Sequence, residues 1–285
     1  MFPILFSIGP VVISTFAIFL LVSWGVWSFL FWRRLRFSAV SEPIIFDVMF
    51  WTTVAAFLGG RIGFVLSHLS TFSSNWLRVP AIWIVPGLSL YSALICAAIC
   101  SLLMARKVNV RLGIIADAWA MAIIPALAIG MLGAFFDGSM IGKPATIPWA
   151  LWYVGVLGRR HPVELYFALA TFIIHMILLK VESYAAKKGK PAGTVAVTSA
   201  MLLSISYGLL ELLTDHPIYW KGLIANHLVL ILVFSQAVGG FFVLSGYHYA
   251  VGRRIKQIHT RIHLVGGGWY ERITARFPFQ RKKNA

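Results

Sequence analysis

AFLGGRIGFVL, residues 56–66, lies inside an apolar run from 44 to 69 and carries one guanidinium, Arg61, in its middle. A run of that length can cross the roughly 30 Å hydrocarbon core of a bilayer as a helix. A charged side chain at such depth costs several kcal/mol unless something pairs with it. Gly59 and Gly63 stand four apart, so they share a helix face on which another backbone can approach closely. Arg61 lies far from either end of the run, too far to snorkel comfortably, so it is expected to face a bundle interior rather than lipid. An interior arginine beside glycines suits a phosphate or a carboxylate.

The rest of the chain agrees with a membrane reading. Of its 285 residues 59% are hydrophobic and only 12% charged, with mean hydropathy +0.82. No soluble domain of this size hides so much apolar surface, which predicts an all-α polytopic membrane protein. Hydropathy places seven transmembrane helices near 10–32, 44–69, 87–105, 112–136, 163–181, 194–213 and 225–249. The apolar N-terminal stretch has no basic segment before it and no small-residue cleavage site, so it is expected to stay as the first span. The short segment 80–86, bracketed by Pro80 and Pro86, and the segment 144–158, with Trp149, Trp152 and Tyr153, are expected at the interface.

A net charge of +16 would suggest nucleic acid in a soluble protein; here it marks loops against anionic headgroups, and no nucleic-acid partner is expected. The loops after the first, third and fifth spans, together with the tail, hold 19 of the 25 basic residues. The positive-inside rule therefore predicts an N-terminus outside and a cytoplasmic C-terminus, as an odd span count requires. Residues 1–250 form the membrane domain, and 251–285 a basic cytoplasmic tail lying on anionic lipid. Cys96 and Cys100 share one apolar run and make neither a disulfide framework nor a metal site.

With that orientation the ionisable groups Asp137, His161, Glu164 and Asp215 fall at the outer ends of spans, and Arg61 in the outer half. Asp117 sits near the inner end of the fourth span, where a carboxylate suits a helix N-terminus. Two further stretches stand out. GMLGAFFDGSMIGK, 130–143, is dense in glycine where the backbone must turn. RRHPVELYF, 159–167, opens the fifth span with Pro162 and Glu164 in its first turn. No internal repeat or matched pair of broken helices points to transport.

Taken together and in order, FLGGRIGFVL, GMLGAFFDGSMIG and RHPVELYF on seven spans resemble the bacterial prolipoprotein diacylglyceryl transferase family. FSIGP at 6–10 and Tyr207-Gly208 in the sixth span add to the resemblance, which covers about residues 5–250. It implies a multi-pass protein of the bacterial cytoplasmic membrane. Its reaction moves diacylglyceryl from phosphatidylglycerol to the lipobox cysteine of a prolipoprotein signal peptide, forming a thioether and releasing glycerol phosphate. No cofactor or metal is implied. Such chemistry asks for a base near the thiol and for cationic donors on the phosphate. The resemblance places Arg61, Gly59, Gly60, Asp137, Gly138, Gly142 and Glu211 around the substrate, with Tyr91 and His161 as catalytic candidates.

Several polar positions depart from the family pattern. Phe16 stands for a tyrosine, Tyr91 for a histidine, Met131 and Ala134 for an arginine and an asparagine. Asp137-Gly138-Ser139 stands for Asn-Gly-Glu, and Glu211 for an arginine. A tyrosine titrates near 10 and is a poor base at neutral pH. Each lost charge-assisted contact should weaken anion binding by about 1.5–3 kcal/mol. Two readings stand: a transferase with a rearranged site, or a catalytically degenerate homologue that binds phospholipid or a lipoprotein signal helix. If Arg61 and Glu211 share a cavity, they could neutralise each other as a buried pair.

Overall fold

A computed structural model describes residues 4–8, 11–73, 75–82, 84–85, 87–215, 219–220 and 223–245. The tail 251–285 lies outside these residues. The chain divides into two units, 1–238 and 239–285; of the second, residues 239–244 belong to the last helix and Ser245 follows it in a turn.

Seven helices are long and apolar enough to cross a membrane. They are α1 (Thr15–Phe37), α2 (Glu42–Ser67), α4 (Leu90–Lys107), α5 (Leu112–Asp137), α6 (Val163–Lys187), α7 (Thr194–Glu211) and α8 (Ala225–Leu244). A four-residue helix, α3 (Leu69–Phe72), and one 3-10 turn (Trp76–Arg78) lie between α2 and α4. Three two-stranded antiparallel ribbons complete the elements: β1 (Ile4–Ile8) with β2 (Val11–Ser14), β3 (Leu151–Trp152) with β4 (Arg159–Arg160), and β5 (Tyr219–Trp220) with β6 (Leu223–Ile224). The fold is the expected all-α membrane architecture.

The spans differ from the hydropathy reading mainly at their ends. The first begins five residues later than expected, at Thr15, because residues 4–8 and 11–14 pair as β1 and β2 and the Ser14 hydroxyl then caps α1 by accepting the Ala17 N–H. It runs on through Arg33, Arg34 and Arg36 to Phe37, and α6 runs on to Lys187. In the first span hydropathy stops at the first cation, Arg33, and in the fifth one residue past Lys180. A helix need not, since long basic side chains carry their charge outward while the backbone stays helical.

α1 packs on α5, and α2 on α4. The second contact is the close approach that Gly59 and Gly63 foretold. A Cβ on Gly59 would lie 2.4 Å from Cys96 Cβ, and one on Gly63 2.0 Å from Ser92 Oγ. Deeper in the same pair, the Thr52 and Ser101 hydroxyls bond at 2.9 Å, both side chains buried. Such a bond satisfies two polar groups that lipid could not.

Long-range pairings define two ends of the bundle. At one, which carries the basic loops, Arg34 of α1 pairs with Glu182 of α6. There too the Asp117 carboxylate of α5 accepts the N–H groups of Gly193 (2.7 Å) and Ala196 (2.8 Å). α7 thus begins on a cap supplied by another helix, satisfying donors that its own first turn leaves free. At the other end the last turn of α5, the start of α6 and the end of α7 converge, and the candidate site lies there.

Candidate functional site

Residues 139–145 leave α5 and thread between the start of α6 and the end of α7. Lys143 N–H donates to Leu213 O (2.8 Å), Asp215 N–H to Ile141 O (2.8 Å), and His161 N–H to Lys143 O (3.1 Å). Gly142 makes this threading possible. A Cβ there would sit 2.2 Å from His161 O. Gly138 ends α5 in the left-handed region, at φ 71°. Arg160 clamps the weave, donating to the Gly142 carbonyl and pairing with Asp215.

Glu164, fully buried, ties the loop from below. It accepts from the Tyr153 hydroxyl (2.6 Å) and the Met140 N–H (3.3 Å). Burial, and then the bond to Glu164, raise the Tyr153 phenol well above its ordinary value of about 10, so it stays a donor. His161 sits above this point. Its Nδ1 lies 3.4 Å from the Tyr166 hydroxyl, which in turn accepts from Trp149 Nε1 (2.7 Å).

The second cluster is a buried polar network. The Tyr91 hydroxyl of α4 donates to Glu211 Oε2 of α7 at 3.0 Å, and Asn226 Nδ2 of α8 donates to Oε1. Glu211 is only 4% exposed. Around it the surroundings are apolar: Met131, Phe167, Tyr207 and Leu230 belong to the cluster into which Tyr91 packs. Tyr207 is itself tied to Thr171 Oγ1 at 2.8 Å. One residue beyond Asn226, His227 Nε2 lies 2.9 Å from Gly208 O. A carbonyl only accepts, so the proton sits on Nε2, and Nδ1 is left buried without a partner among the described residues.

Arg61 stands apart from that network. Its guanidinium, 5% exposed, donates to four backbone carbonyls: Val79 (2.7 Å), Val85 (2.8 Å), Gly87 (3.1 Å) and Arg78 (3.1 Å). Its flat face lies against Phe64 and Phe72, 5.6 and 5.3 Å from the ring centroids. It therefore organises the segment between α2 and α4. Among the described residues Arg61 and Glu211 form no ion pair; each is satisfied by different partners. Gly59 and Gly60 face α4, where a Cβ on Gly60 would meet Ala93 Cβ at 3.2 Å.

The structure thus brings together Tyr91 with Glu211, and Gly142 with His161. Gly59, Gly60 and Arg61 belong to the α2–α4 contact, and Asp137 closes α5 beside Gly138. Asn226 and His227 went unremarked in the sequence, and Tyr153 was marked only as an interfacial aromatic. Asn226 and His227 are adjacent polar residues opening an otherwise apolar run, which was the available signal. The tie between Tyr153 and Glu164 spans a loop and left none.

The architecture is that of a multi-pass membrane protein with polar clusters around His161 and Glu211 at the end of the bundle away from its basic loops. The prolipoprotein diacylglyceryl transferase family matches residues 3–245, and the chain belongs to that family. Three similar relatives are each called phosphatidylglycerol–prolipoprotein diacylglyceryl transferase. That of Geobacter sulfurreducens is 31% identical over 63% of this chain and 67% of its own length. That of Rhodospirillum rubrum is 30% identical over 73% and 76%. That of Bordetella avium is 29% identical over 79% and 85%.

Proposed function

We propose that this protein transfers diacylglyceryl from phosphatidylglycerol to the lipobox cysteine of a prolipoprotein, at the outer face of a bacterial cytoplasmic membrane. The family match over residues 3–245 carries this reading. In the reaction the substrate thiol loses its proton and attacks the glyceryl carbon. A C–S bond forms, the C–O bond to the phosphate breaks, and glycerol phosphate leaves.

Of the two candidate bases, His161 has the better chemistry. Only one of its ring nitrogens has a partner, a distant one, among the described residues, which leaves the imidazole open to a substrate thiol. Tyr91 already donates its hydroxyl to Glu211. Asp137, Gly138 and Gly142 shape the turn beside His161, and Lys143 and Arg159 supply cations at the same end for the departing phosphate.

A second reading, binding of a phospholipid or signal helix without transfer, has two observations in its favour. The Arg61 guanidinium is occupied by backbone carbonyls. At Glu211 the buried network holds a carboxylate and two neutral donors, with no cation among the described residues that bond to it.

The test is incubation of the purified protein in phosphatidylglycerol membranes with a lipobox peptide, read by mass spectrometry of the cysteine. An adduct lost in His161→Ala supports transfer. No adduct, beside an active relative under the same conditions, leaves the binding reading.

A further inference from the structure

At the basic end, far along the chain from every residue discussed above as a candidate for chemistry, a cleft of about 530 Å³ opens between α1, α5, α6 and the start of α7. That volume lies in the range of small-molecule and lipid-headgroup sites. Its walls combine two guanidiniums, Arg33 and Arg34, with the apolar surfaces of Leu30, Phe37 and Ile114.

Two carboxylates also border the cleft, but each has a partner. Asp117 accepts the two N–H groups that begin α7. Glu182 is held by both terminal nitrogens of Arg34. Arg33 differs. It is exposed, lies 5.8 Å over the Phe37 ring, and has no carboxylate partner among the described residues. The cleft therefore offers one uncommitted guanidinium above an apolar wall.

We propose that this cleft seats an anionic phospholipid of the leaflet that meets the basic loops, with its phosphate on Arg33 and its upper acyl chain along Leu30, Phe37 and Ile114. The pairing follows from charge and depth. A guanidinium favours phosphate through a two-point hydrogen-bonding fork. Basic pockets between transmembrane helices are suited to phospholipid headgroups. The Arg34–Glu182 pair would then serve as the fixed floor of the site rather than as the ligand's partner. This inference does not depend on the transferase reading, and either can fail alone.

The test uses the delipidated full chain in detergent, with native mass spectrometry to count retained lipid during titration. The probes are dioleoyl phosphatidylglycerol, dioleoyl phosphatidylcholine and inorganic phosphate. Three proteins are compared: wild type, Arg33→Gln, and Ala192→Phe, which adds bulk at the rim of the cleft. Melting temperature confirms that each variant is folded; Arg33→Lys stands in for Arg33→Gln if that protein is not.

The expected result is at least tenfold tighter retention of one phosphatidylglycerol than of phosphatidylcholine in wild type. That lipid should be weakened about tenfold or more in both variants, and Arg33→Lys should fall between. Equal retention in wild type and folded variants overturns the site. Equal retention of the two lipids overturns the role of charge. Displacement of the lipid by millimolar inorganic phosphate assigns the cleft to a free anion and overturns the lipid as its occupant.

Discussion

Arg61 shows how one residue type can serve two opposite ends. Read from its neighbours in sequence, it is a phosphate binder; read from its hydrogen bonds, it is a clamp on the segment 78–87. Four carbonyls accept from one buried guanidinium. Removing it leaves those carbonyls dry and unpaired, each at about 1–3 kcal/mol. Arg61→Ala is therefore expected to lower stability by on the order of 3 kcal/mol or more, and Arg61→Lys to recover only part, since an ammonium cannot reproduce the fork. A double-mutant cycle on melting free energies completes the prediction. Tyr91→Phe with Glu211→Gln should couple by about 0.5–3 kcal/mol, and Arg61→Lys with Glu211→Gln by less than about 0.5. Coupling of the second pair, or none in the first, would contradict the hydrogen-bond assignment. Much of this was hidden in the sequence for a physical reason. Backbone carbonyls carry no residue identity, so nothing in the chain marks Val79, Val85 and Gly87 as the partners of Arg61. The polar departures at Tyr91 and Glu211 were visible as letters, but that they face each other was not.

At the scale of elements, hydropathy and spacing did better, because both are local. Seven spans and the Gly59–Gly63 face are written in runs of a few residues, and the helices follow them. The ends are less legible, since a helix continues past a cation that hydropathy treats as a stop. The tertiary cap on α7 is a case of partial legibility. Asp117 was readable as a helix-end carboxylate, yet the helix it caps is not its own. Its two acceptor bonds satisfy the N–H groups of Gly193 and Ala196. Asp117→Ala should destabilise the protein by about 1–3 kcal/mol, and Asp117→Asn, which keeps one carbonyl oxygen, by less. Thermal melting of the two variants in detergent checks the order. Equal, negligible effects would mean that water satisfies those donors instead.

For the whole molecule the decisive asymmetry is charge. Basic residues crowd the end where α1 and α6 finish and α5 and α7 begin. The site gathers at the other. The positive-inside rule expects that basic end in the cytoplasm; a single cysteine at Lys188 should then react with an impermeant maleimide only in inverted vesicles. One at Leu157 should react in intact spheroplasts. Both would be placed in a Cys96→Ala, Cys100→Ala background. The opposite labelling would reverse the orientation and move the site to the other face. Charge at each end also bears on the order in which the bundle comes together. α7 has the lowest hydropathy of the seven spans, 1.4, and only 18 residues. It emerges from the ribosome some eighty residues after Asp117, when α5 is already made. The carboxylate then acts as a mooring set out in advance: the weakest segment to partition from the translocon finds its first turn held by a helix that entered before it.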